Sequence, residues 1–78
     1  MTIAEFMRDI APKMKQGWVF MTQDNDWYYT PINDKPEIEN CWGIDDWETR
    51  SFQHSLEMFD ISPVDDWTQS LRKVGCHE

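Results

Sequence analysis

Seventy-eight residues allow one compact domain, since a chain this short buries only about 60% of the surface its unfolded form exposes and has no room for a second core. A formal net charge of −8 argues against docking on anionic lipid or on a phosphate backbone, and no apolar run approaches the roughly 20 residues of a membrane helix. With 40% hydrophobic residues, five Trp and four Phe, the composition excludes a disordered acidic tail and predicts an aromatic-rich core.

The chain opens on Thr2 with Glu5 three residues later, a capping box in which hydroxyl and carboxylate each satisfy an orphan backbone donor. Ile3, Phe6, Met7, Ile10 and Met14 follow at helical spacing and form one apolar stripe, while Glu5, Arg8, Asp9 and Lys13 fall elsewhere on the wheel. Pro12 lacks a backbone donor and clashes with the preceding turn, so the helix is expected to kink or break near Ile10 or Ala11; Gly17 ends the segment. Trp18 to Thr22 and Trp27 to Thr30 are rich in aromatic and β-branched residues and flank Gln23-Asp24-Asn25-Asp26, which predicts a β-hairpin.

From Pro31 to Asp46 prolines, asparagines and acids interrupt the pattern, and Glu37 to Trp42 is the candidate for a short third strand. Thr49 to Asp60 has two readings. Phe52, Leu56 and Phe59 suit a helix, whereas Leu56, Met58 and Asp60 alternate against Phe59 and Ile61 as in a strand, the reading preferred for the latter half. Ser62 as N-cap, Pro63 at the first helical position, and Asp65 and Asp66 in the first turn then predict a C-terminal helix over residues 63–74. Its apolar face would be Val64, Trp67, Leu71 and Val74, with Arg72 and Lys73 in the last turn and Gly75 as the cap. There is no repeat, linker or low-complexity tract, so the expected architecture is a single α+β domain over residues 1–78: an N-terminal helix, a β-hairpin or three-stranded antiparallel sheet, and a C-terminal helix.

Charge is segregated along this order. Residues 1–22 carry three basic and two acidic side chains, and residues 67–78 two basic and one acidic. Between Gln23 and Asp66 twelve acids face only Lys35 and Arg50, so that stretch holds a charge of −10. The plain reading is a solvated face that keeps a small protein soluble. The sharper one is a row of carboxylates that resembles phosphates and occupies a Lys/Arg-lined channel.

Catalytic and metal chemistries find little support. Nucleophilic catalysis needs a base beside Ser or Cys, and the histidines are His54 and His77; a Cys41–His54 pair has no nucleophile elbow or Gly-rich oxyanion loop around it. Cys41, His54, Cys76 and His77 lack the C-x-x-C or H-x-x-x-H spacing of a zinc site. Asp24 and Asp26 begin like a calcium loop, but Tyr29 stands where that loop needs Gly and Lys35 where it needs Glu. With three glycines and no GxxxxGK[ST] or GxGxxG, no phosphate cradle is available. Cys41 and Cys76 read as unpaired thiols in a reducing cytoplasm, since no secretory h-region precedes the first helix. Neither a metal nor a cofactor is expected. Of the tryptophans, Trp18, Trp27 and Trp67 lie on regular elements and read as core, while Trp42 and Trp47 in the acidic stretch are candidates for a binding surface.

Trp27-Tyr28-Tyr29, Lys35-Pro36 and Trp42, with the ending Phe59-Asp60-Ile61, Asp65-Asp66-Trp67 and Ser70-Leu71, resemble the small acidic accessory proteins encoded by bacteriophages and prophages. That class includes inhibitors of host defence, anti-CRISPR and anti-restriction proteins among them, several of which imitate DNA. The resemblance implies a non-enzymatic inhibitor in the host cell cytoplasm that binds a host protein with a basic, nucleic-acid-binding surface and touches neither nucleic acid nor membrane. Within this sequence the expected contacts are Asp45, Asp46, Glu48, Asp65 and Asp66, with Trp47 as the anchor. The alternative, from another class, is a structural or assembly module that forms a homodimer through an aromatic surface.

Overall fold

A computed structural model of the chain describes residues 1–48 and 52–75. The N-terminal helix, α1 (Ile3–Asp9), starts where the local chemistry predicts. The Glu5 N–H donates to Thr2 Oγ1 at 3.2 Å, and the Thr2 N–H donates to Glu5 Oε1 at 3.0 Å, closing the capping box. The break also falls as expected: Ile10 is the C-cap, and Pro12 sits in a separate 3-10 turn, Ala11–Lys13.

The predicted hairpin is present as β1 (Gly17–Met21) and β2 (Trp27–Thr30), paired from Trp18↔Thr30 to Met21↔Trp27. Gly17 is required at its start, because a Cβ there would overlap the Thr30 carbonyl oxygen across the hairpin. Glu37 to Cys41 forms the expected strand, β3, but pairs with β4 (Ile44–Glu48) as a two-stranded ribbon apart from the first hairpin. Of the Thr49 to Asp60 stretch, residues 49–51 lie outside the described residues. The remainder gives a short strand, β5 (His54–Ser55), and a 3-10 turn, Glu57–Phe59. Among the described residues there are therefore six strands with β6 (Arg72–Val74), in an antiparallel sheet ordered β5-β2-β1-β6 and the β3–β4 ribbon, more than the hairpin or three strands expected.

The C-terminal helix is not formed. Residues 63–74 instead contain a single 3-10 turn, Trp67–Gln69, followed by β6. Several of the residues that suggested the helix are engaged elsewhere. Ser62 donates its N–H to the Met1 carbonyl at 2.7 Å, and Asp66 caps only the short turn, accepting from the Thr68 N–H at 3.0 Å and the Thr68 hydroxyl at 2.6 Å. Arg72, Lys73 and Val74 pair with Val19, Trp18 and Gly17, filling the edge of β1 that a helix would leave with unpaired backbone groups. Gly75 has the positive φ of +63° that a cap glycine would have, yet it follows a strand. Its bare Cα lies against the 3-10 turn region, where a Cβ would come within 2.5 Å of the Met14 carbonyl oxygen.

Alternation along β1 divides the core. Val19 and Met21 join Phe6, Ala11, Trp27, Leu56, Ile61 and Val74 in one buried cluster, on which Ile3, Met7, Ile10, Met14 and Trp67 pack. Phe6 meets Phe59 edge-on at 5.4 Å. Phe20, fully buried, points to the opposite face and meets Tyr28 and Trp47 at 6.2 and 5.7 Å. The sheet is thus covered by α1 on one face and reached by the ribbon on the other.

Register also explains a buried polar group. Extending the Val19↔Arg72 pairing by two residues sets Met21 opposite Ser70. There the Ser70 hydroxyl replaces the backbone partner, accepting from the Met21 N–H at 2.8 Å and donating to the Trp67 carbonyl at 2.5 Å. The Met21 carbonyl accepts from the Trp47 indole N–H at 3.1 Å.

Candidate functional site, an acidic two-stranded ribbon

The β3–β4 register decides where the mid-chain acids point. Glu37↔Glu48 and Glu39↔Asp46 are directly paired, and directly paired residues share a face. Four carboxylates therefore project from one exposed side of the ribbon, with Ile44, 61% exposed, at its far end. Glu37, Glu39 and Glu48 also line a common cleft with Asp34 and Lys35, whereas Asp46, whose carboxylate accepts from the Trp47 N–H at 2.8 Å, lines a separate hollow with Ile44 and Asp24. Among the described residues the only ion pair is Arg8–Asp9 at 2.8 Å, on α1, and the ribbon carboxylates belong to none. Like charges set opposite each other are destabilising. The fold holds this arrangement against that repulsion.

The opposite face of the ribbon attaches it to the domain. Trp47 is only 6% exposed; its ring packs against Phe20 and meets Trp67 edge-on at 6.0 Å, and its N–H is bound to Met21. This corrects the expectation that Trp47 is a partner-facing anchor, because alternation along β4 turns it inward when Asp46 and Glu48 turn outward. Asp45 falls on the same side as Trp47 by register but is exposed. Its carboxylate accepts from Asn40 Nδ2 at 2.8 Å, and its backbone carbonyl accepts from Gln23 Nε2.

The remaining expected contacts, Asp65 and Asp66, are exposed, but Asp66 is engaged by Thr68 as a cap. The structure thus brings Asp46 and Glu48 together with Glu37 and Glu39, which composition alone counted but did not single out. The signal was present in Trp42-Gly43, a two-residue loop ending in Gly between two runs of similar length.

The loop itself is unusual. Trp42 has φ +57° and Gly43 φ +79°, the left-handed pair of a type I′ hairpin turn. Glycine and asparagine adopt this conformation readily; for another residue it costs roughly 1–2 kcal/mol. Trp42 is also 95% exposed, so burial returns nothing for that strain. Of the two tryptophans in the acidic stretch, Trp42 is the one at the surface.

His54 is exposed and lies beside the Tyr29 ring at 6.1 Å. Among the described residues no group of three His, Cys, Asp or Glu side chains converges as metal ligands would, and no helix is long and apolar enough to cross a membrane. Comparison with family models, with curated proteins and with solved structures gave no match to the chain.

Proposed function

We propose that this chain is a non-enzymatic binding protein, an inhibitor of the bacteriophage type, which presents the outer face of the β3–β4 ribbon to a host defence or nucleic-acid-handling protein in the host cytoplasm. The observation that carries this reading is the cross-strand pairing Glu37↔Glu48 and Glu39↔Asp46, four acids on one exposed side that form no ion pair among the described residues. Opposed charge speeds encounter with a Lys/Arg-lined surface and fixes orientation on it. Carboxylates in a row stand in for phosphates, so the partner's nucleic-acid surface is the natural counterpart.

The test is an affinity capture from host lysate at low and high salt, read by mass spectrometry. The E37Q/E39Q/D46N/E48Q variant should lose the captured protein, while D26N/E57Q/D60N, which removes acids lining a cleft that contains no ribbon residue, should retain it. Equal capture by both variants would reduce the acidic band to a solubility device.

A second reading, self-association, draws on Phe52 and Met58, which are 82% and 80% exposed around the short edge strand β5. Sedimentation separates the two readings: a homodimer that persists at high salt supports the second.

A further inference from the structure

We propose, resting on the acidic-face reading above, that the ribbon docks by inserting Trp42 into a base-stacking slot of a partner protein's single-strand nucleic-acid groove. Three features of the ribbon agree on that occupant. The first is the apolar tip: Trp42 is 95% exposed on a strained turn that Asn or Gly would make more easily, and Ile44 beside it is 61% exposed. The tip presents an aromatic ring to solvent where turn stability alone would select another residue.

The second is linear charge density. Paired outward residues recur every second position, so the ribbon carries two carboxylates per two-residue step, about one per 3.4 Å of its axis. That is the spacing of phosphates along one strand of a B-form duplex, whose two strands together carry about twice as much. The third is the combination. Single-strand grooves join a basic track for the backbone to aromatic platforms on which bases stack. The ribbon joins a carboxylate track to one protruding ring, in the same order as backbone and terminal base. A second copy of this chain does not fit, since it would set the same four carboxylates against each other.

The experiment immobilises the full chain, captures host proteins, and releases them with a short oligo(dT) strand or with a DNA duplex of equal length. Single-stranded oligo(dT) should release the captured protein at about tenfold lower concentration than duplex. Trp42→Asn should lower its affinity about tenfold or more without changing net charge, and should raise the melting temperature because Asn-Gly suits the turn. Release by duplex as readily as by single strand, or unaltered binding by Trp42→Asn, overturns the anchor. If E37Q/E39Q/D46N/E48Q abolishes binding while Trp42→Asn does not, the acidic face stands and the stacking anchor falls. If neither variant weakens binding, both fall.

Discussion

At the residue scale, the interior is decided by where single polar atoms find partners. Ser70, fully buried, is the one group that meets the Met21 N–H at the end of the β1–β6 ladder. Ser70→Ala should lower stability by about 1–3 kcal/mol in denaturant unfolding, because a buried donor is left unpaired. Thr30 is the opposite case: its Oγ1 is buried with no hydrogen-bond partner among the described residues, so Thr30→Val should raise stability, by about 1 kcal/mol. The Tyr29 hydroxyl donates to the Lys15 carbonyl at 2.9 Å, and burial pushes its pKa above the ordinary value near 10. A raised folded value stabilises the fold below about pH 10, and that contribution is lost as pH climbs through the raised value. Tyr29→Phe should therefore remove part of the alkaline destabilisation seen in a pH series of melting temperatures. Glu5 has the reverse sign. The Thr2 N–H holds its carboxyl below the usual range, so its contribution is present at neutral pH and lost as acid protonates it.

At the element scale, the ribbon depends on Trp47 for its attachment to the sheet. A domain of 78 residues has a total stability on the order of 4–12 kcal/mol, and replacing a buried Trp by Ala costs about 3–5 kcal/mol. Trp47→Ala should thus remove at least about a quarter of the domain's stability, measurable by denaturant titration. The outer face behaves differently. Glu39→Lys opposite Asp46 should raise stability by about 0.2–1 kcal/mol while weakening partner capture, since it replaces a like-charge pair with an opposite one. Elements also differ in how far the sequence revealed them. α1 and the first hairpin were legible because their cues are local: a capping box, Pro12 and a four-residue polar turn. The C-terminal segment was not, because its capping residues and apolar spacing suited a helix equally well, and the unpaired edge of β1 that claims Arg72 to Val74 lies more than fifty residues away in sequence.

At the scale of the whole molecule, charge segregation in sequence became a face in space only through pairing register. The acidic stretch was visible in composition, yet its geometry depended on a β4 strand and on a Trp42-Gly43 turn in which Gly43 is the only residue of the usual hairpin pair. Of the ribbon residues expected as contacts, Asp45, Asp46 and Glu48 are exposed. Trp47 between them was misplaced because an alternating strand was read as irregular chain. The helix-covered face of the sheet carries the core, and the ribbon carries the charge, so binding variants on the outer ribbon should leave folding intact. The most direct test of that division is the slope of log affinity against log salt for the captured partner. The wild-type chain should lose affinity steeply as salt rises, and E37Q/E39Q/D46N/E48Q should show a much flatter line at a melting temperature no lower than that of the wild type. Parallel slopes for the two proteins would contradict the account.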